Sequence, residues 1–154
     1  MTTMVDAKNL TVQVYQVFIK ASPEQIWEAI TRPEWTARYF HGVRSHFELR
    51  PGGEYHQDLG DGRGLATKGE VLEADPPRRL SHTWTSLYDE ELAREEPSRV
   101  TWEIEAQENG VSLLTVVHDR LDGAPKTAAG VAGTGWMGVL SNLKTLLETG
   151  EPLY

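Results

Sequence analysis

Between Gly133 and Gly150 the chain reads GTGWMGVLSNLKTLLETG, and after Trp136 apolar side chains recur at Val139, Leu140, Leu143, Leu146 and Leu147. Offsets of three, four, seven, ten and eleven residues put them on one stripe of an α-helix, a pattern that requires a broad apolar partner. Gly150 suits a C-cap, and Pro152 cannot continue the helix. Almost everything before this stretch alternates with period two or reads as turn. The expectation is one long C-terminal helix gripped by a sheet.

The alternating segments supply that sheet. Leu10 to Lys20 is rich in β-branched and aromatic residues, with Tyr15, Val17 and Ile19 on one face and Gln16 and Lys20 on the other. Ser22-Pro23-Glu24-Gln25 then opens a helix, with Ser22 as N-cap, Pro23 first in the helix and Gln25 able to complete a capping box. Pro33 ends or restarts it, and Glu34 to Phe40 forms a second short piece carrying Trp35, Tyr39 and Phe40. From Val43 the chain reads as a meander with turns at Pro51-Gly52-Gly53, Leu59 to Gly64, Asp75-Pro76-Pro77 and Glu108-Asn109-Gly110. Leu80, His82 and Trp84 share a face, as do Val100, Trp102 and Ile104, and then Leu114, Val116 and His118. Leu87 to Pro97 reads as a solvated acidic loop, and the Gly- and Ala-rich Asp122 to Thr134 as a lead into the last helix. The order is one strand, two short helices, six strands and a long helix, an α+β arrangement with helices segregated from an antiparallel sheet. A bent sheet around one helix leaves a gap suited to a ligand.

No repeat or linker divides the 154 residues, so one domain is expected, its core at roughly residues 10–150. A chain of this size buries roughly 70% of its unfolded surface and needs no disulfide or metal to hold it. Cysteine is absent, which removes thiol catalysis and Cys-ligated zinc. A net charge of −8 argues against nucleic-acid binding, and the lone basic doublet Arg78-Arg79 reads as a turn exit. The polar Met1 to Asn9 does not look like a secretory signal, and no apolar run approaches the ~20 residues of a membrane span, so a cytoplasmic protein without membrane attachment is expected.

The segment Ile19 to Ile30 (IKASPEQIWEAI), the hairpin Pro51 to Tyr55 (PGGEY), Lys68 to Val71 (KGEV) with Pro76 to Leu80 (PPRRL) and Trp84, and Gly135-Trp136 followed by Leu140, Leu143, Leu147 and Glu148 carry a resemblance over roughly residues 10–150. In that order they resemble the heat-shock-protein-90 ATPase activator homologues of the START-like (SRPBCC, Bet v 1-like) superfamily. The resemblance implies a helix-grip fold of about seven strands, with a hydrophobic cavity between sheet and C-terminal helix. It implies no single activity, because that superfamily mixes lipid carriers, hormone receptors, aromatases, cyclases and chaperone cofactors. The eukaryotic activator joins this domain to an N-terminal domain important for chaperone stimulation, for which this chain leaves no room, and no matched residue set transfers chaperone binding.

The first functional expectation is binding of a small hydrophobic or aromatic molecule, with Tyr39, Phe40, Trp84, Trp102, Trp136 and Leu140 as contact area and Ser45, Tyr55, His82 and His118 as orienting polar groups. The same aromatics would equally suit a filled core. A second reading is a cofactor-free cyclase, aromatase or dehydratase with His82 or His118 as acid–base group; the expectation leans away from an enzyme, and each His also reads as a hydrogen-bonded wall residue. A third is an interaction module of co-chaperone type, using the acidic loop Asp89 to Glu96. His118 and Asp119 are adjacent on a strand, point to opposite faces and cannot form a dyad. His41, His46 and His56 match no ligand spacing and read as surface or rim residues, so neither metal nor cofactor is expected. Gly60 to Gly64 joins two strands rather than a strand and a helix and reads as a hairpin tip, not a phosphate loop. Gly135-Trp136 or an exposed edge strand could serve a homodimer.

Overall fold

The period-two segments pair into one antiparallel seven-stranded sheet in a computed structural model that describes residues 11–154. The elements in order are β1 (Gln13–Ile19), α1 (Pro23–Thr31), α2 (Pro33–Tyr39), β2 (Arg44–Phe47), β3 (Glu54–Asp58), β4 (Leu65–Asp75), β5 (Arg79–Ser86), α3 (Glu90–Ala93), β6 (Ser98–Ala106), β7 (Ser112–Asp119), α4 (Pro125–Val131) and α5 (Thr134–Thr149). The strand order is β1-β7-β6-β5-β4-β3-β2, so the meander runs across the sheet and the first strand pairs with the last. This is the α+β architecture read from the alternation, a curved antiparallel sheet with the long helix against it. Leu10, expected to start β1, lies outside the described residues.

Local chemistry sets the helix ends. The Ser22 hydroxyl accepts from the Gln25 amide at 3.1 Å while Gln25 Oε1 accepts from the Ser22 N–H at 2.9 Å, a complete capping box. Pro33 opens α2 at its first position, where a missing N–H costs nothing. In α5 the stripe of Trp136, Val139, Leu140, Leu143 and Leu146 is buried and Leu147 partly so. Gly150 ends the helix in the left-handed region at φ +87°, its N–H on the Leu146 carbonyl.

Polar anchors fix α5 against the rest. Lys144 Nζ donates to the Phe18 carbonyl at 2.8 Å and to Glu148, whose carboxylate accepts from the Lys20 N–H at 2.8 Å. These bonds occupy backbone groups on the outer edge of β1. Asn142, buried in α5, donates to the Tyr39 carbonyl at 3.0 Å, and the Tyr39 hydroxyl donates to Ala29 at 2.8 Å, which ties α1, α2 and α5 together. At Gly69 an added Cβ would collide with the Thr83 carbonyl, so β4 and β5 approach where only glycine fits.

Two expectations change. The acidic segment is not solvated throughout, since Leu92 of α3 is buried and Asp89 caps that helix through the Glu91 N–H at 2.8 Å. The Gly- and Ala-rich lead contains a helix, α4, whose apolar periodicity is weak because Ala and Gly present little side chain to pattern. No helix among the described residues is long and apolar enough to cross a membrane.

Candidate functional site: a cavity floored by aromatic rings

A cavity of about 330 Å³ lies between α5, the end of α2 and strands β3 to β5. That volume is at the lower end of the ~300–1,000 Å³ usual for small-molecule sites. Trp84 from β5 and Trp136 from the first turn of α5 form much of its floor, with Phe40 closing the side beyond α2. Phe40 and Trp84 lie at 27° with centroids 6.4 Å apart, and Phe40 meets Trp136 edge-on at 6.0 Å. Strand parity brings these rings together: Leu80, His82 and Trp84 face the helix, and α5 begins where Trp136 falls on its buried stripe. His41, Tyr88 and Val131 stand at the mouth; Tyr88 is 67% exposed.

The polar atoms of the cavity are held in order. Thr67 Oγ1 donates to Gln57 Oε1 at 2.9 Å, Gln57 Nε2 donates to Ser45 Oγ at 3.0 Å, and the Ser45 N–H donates to Thr36 Oγ1 at 2.8 Å. This chain runs from β4 to α2 and fixes which way the Gln57 amide points. Ser86 Oγ accepts from Trp84 Nε1 at 3.1 Å and so locks the floor indole.

Behind the floor are the two buried histidines. His82 Nε2 accepts from Trp102 Nε1 at 3.0 Å, and its Nδ1–H donates to the Thr83 carbonyl at 2.9 Å. His118 Nδ1 accepts from Trp136 Nε1 at 3.1 Å, its Nε2–H donates to Ser98 Oγ at 2.8 Å, and Ser98 donates to the Trp84 carbonyl at 3.2 Å. An indole N–H can only donate, so each histidine nitrogen facing a tryptophan must be unprotonated, and both rings are neutral tautomers. Burial pushes His82 down to about 4, partly offset by its bond to Thr83. Burial, then the neighbouring His82, pushes His118 down to about 3. Asp119 points away to the outer face, where Arg99 grips both its oxygens at 2.8 and 2.6 Å, so it is no partner for His118.

Of the residues expected to bind a ligand, Phe40, Trp84 and Trp136 line the cavity. Tyr39, Ser45, Tyr55, His82, Trp102, His118 and Leu140 stand behind it as packed wall. Tyr55 stacks on Phe47 at 4.7 Å and lies 4.1 Å from the His82 ring, and Trp102 meets Trp136 edge-on at 5.4 Å. Alternation reports which face is inward, not whether an inward side chain meets space or another side chain. Gln57, Thr67, Ser86 and Ala66 line the cavity without having been singled out, although Gln57 has the parity of Tyr55 and Ser86 that of Trp84. Of the three histidines read as surface or rim groups, His41 is at the mouth, whereas His46 and His56 meet on the far side of the sheet.

One wall depends on a carboxylate from the acidic segment. Glu95 accepts from the Lys126 N–H at 2.7 Å, the Thr127 N–H at 2.9 Å and Thr127 Oγ1 at 2.7 Å, capping α4 at a distance of thirty-odd residues in sequence. Gly130 and Val131 of α4 line the cavity, so this cap holds the mouth. Glu95→Ala should cost about 1–2 kcal/mol, the usual loss for a helix cap. Urea unfolding measures the cost. Hydrogen exchange should speed up in α4 more than in β5, and uniform acceleration would refute a local role.

Three comparisons place the chain. The family model for activator of Hsp90 ATPase homolog 1-like proteins matches residues 20–148. Comparison with functionally curated proteins returned no match. Among solved structures, the chain is similar to protein MLL2253 of Mesorhizobium loti, with 26% identity over 89% of this chain and 96% of that one and a TM-score of 0.72. It is similar to CalU16 of Micromonospora echinospora at 24% identity, covering 92% and 76% of the two chains at a TM-score of 0.69. An HSP90 activator from Plasmodium falciparum shares the fold at 19% identity over 92% and 98%, with a TM-score of 0.71. With the family model spanning most of the sequence and a helix gripped by a curved sheet, the chain belongs to the Hsp90-ATPase-activator-homologue family, within the START-like, Bet v 1-like fold.

Proposed function

We propose that this protein binds a small, flat, largely apolar molecule in the cavity lined by Phe40, Trp84 and Trp136. The cavity itself carries the reading: it is walled by helix and sheet, floored by indoles and supplied with a few ordered polar groups, the composition of small-molecule sites. Trp84 and Trp136 offer broad ring surface at little cost in side-chain entropy, because the bonds to Ser86 and His118 already fix their rotamers. Ser86, with its oxygen engaged by Trp84, and Thr67 beside Gln57 supply the polar edge that would orient an occupant. Binding rather than catalysis is favoured because both nitrogens of His82 and His118 are committed within the protein and neither residue lines the cavity. The family also supports a chaperone partner as a separate reading.

The test combines native mass spectrometry of the purified protein, with organic extraction of carried molecules, and titration with naphthalene followed by tryptophan fluorescence. Saturable quenching is expected in the native protein and its loss in Ala66→Phe, which fills the cavity from β4. No adduct and no saturable quenching, in a protein with native circular dichroism, would refute the reading.

A further inference from the structure

The sheet has a second chemical centre, on the face turned away from the helix. Ser45, Tyr55 and Gln57 of β2 and β3 point into the core and are buried, so His46, His56 and Asp58 point the other way and are half-buried. His46 lies directly opposite His56 in the ladder, and Asp58 is the next residue of β3 on that face. The two imidazoles stack with centroids 4.6 Å apart at 20°. One ligating atom from each of the three side chains falls within 4.8 Å of the others, and His46 Nε2 is already 2.7 Å from Asp58 Oδ2.

We propose that His46, His56 and Asp58 bind a divalent transition metal, with zinc as the ion to be tested. Two imidazoles and a carboxylate suit zinc, nickel, copper or iron and disfavour magnesium and calcium, which select oxygen. Bonds of about 2.1 Å in a tetrahedron put ligand atoms about 3.4 Å apart, so small side-chain rotations close the observed separations. The supporting partners are in place. Glu54 Oε1 lies 3.0 Å from His56 Nδ1 and leaves Nε2 as the ligating atom, while the Gly60 N–H donates to Asp58 Oδ1 at 2.9 Å and leaves Oδ2 turned to the histidines. The metal replaces the proton now shared between His46 and Asp58, so both must give up that bond to bind it. Arg44 opposite Asp58 and Lys68 opposite His56 are the neighbouring cations; both are exposed, and the carboxylates of Asp58 and Glu54 balance them. Three protein ligands leave a fourth position for water or an outside group. The site stands independently of the cavity, from which β3 separates it.

Zinc titration by calorimetry on the full chain tests the proposal. One equivalent of zinc is expected in the native protein, lost in His56→Ala and in Asp58→Asn, and weakened about tenfold or more in Glu54→Gln, the range seen when a group orienting a ligand is removed. His41→Ala, at the cavity mouth, should leave binding unchanged. Because all these side chains reach the surface, the variants should fold, and circular dichroism checks that they do. Absence of a saturable equivalent at 100 µM zinc, or undiminished binding in the His46→Ala/His56→Ala double variant, would overturn the site.

Discussion

Acidifying the protein from pH 7 to about pH 4.5 should remove on the order of 2–3 kcal/mol of stability for each of His82 and His118. Unfolded, each imidazole takes up a proton near its ordinary value of 6.5; folded, His82 does so only at about 4 and His118 at about 3. Between those limits the unfolded chain holds more protons than the folded one, so stability falls as pH falls, and the loss is complete once the folded values are passed. The cause is burial behind Trp84 and Trp136, with every ring nitrogen bonded in a pattern only the neutral tautomers satisfy. Asp119 and Glu148 are held below the usual carboxylate range, Asp119 chiefly by its bonds to Arg99 and Glu148 by Lys144 and the Lys20 N–H, so they add their loss at lower pH. Urea unfolding at several pH values measures the slope. His118→Gln can still accept from Trp136 and donate to Ser98. It should be less stable at pH 7 yet show a shallower decline toward pH 4.5; an unchanged slope would remove His118 from the account.

Trp136→Ala should be the most damaging single truncation, at about 3–5 kcal/mol for an aromatic side chain removed from a packed interior. Trp136 touches Phe40, Trp84, Trp102 and His118 with centroids between 5.4 and 6.0 Å, so four rings lose a neighbour at once. His118 Nδ1 also loses its donor, a buried acceptor left unpaired. Against a typical total stability of roughly 5–15 kcal/mol, that loss is enough to leave a measurable unfolded fraction. Trp136→Phe separates the two effects by keeping a ring and removing the N–H, and should cost about 1–3 kcal/mol. If thermal unfolding shifts equally in the two variants, the ring cluster is not the main source of the effect. Trp136→Ala should also enlarge the cavity and relax its selectivity for flat occupants, which the naphthalene titration would register.

The fold was legible because its signals are local. The stripe from Trp136 to Leu147, the Ser22 to Gln25 capping box and the parity of Leu80, His82 and Trp84 each depend on a few neighbouring residues. The candidate site was legible in part for the same reason. Parity placed Trp84 and Trp136 inward, but could not separate the Trp84 ring at the cavity from the Trp102 ring packed behind it. Three features needed tertiary register. Glu95 looked like one more solvated acid because its partners, Lys126 and Thr127, lie about thirty residues on. The helix those partners begin has no stripe to announce it. His46, His56 and Asp58 follow no ligand spacing because β2 and β3 must pair before the three can meet.

The pairing of β1 with β7 sets the order in which the chain can fold. Gln13 sits opposite His118, and Ile19 opposite Ser112, so the first strand has no ladder partner until β7, the last strand, has been made. Closing so long a loop is an entropic debt settled late, and topologies with such remote contacts fold slowly for their size. During synthesis the apolar face of β1, with Ile19 at its end, therefore waits in the open while the ribosome makes about a hundred residues more. The interval between making the first strand and making its partner is the time in which this chain most needs protection from its neighbours.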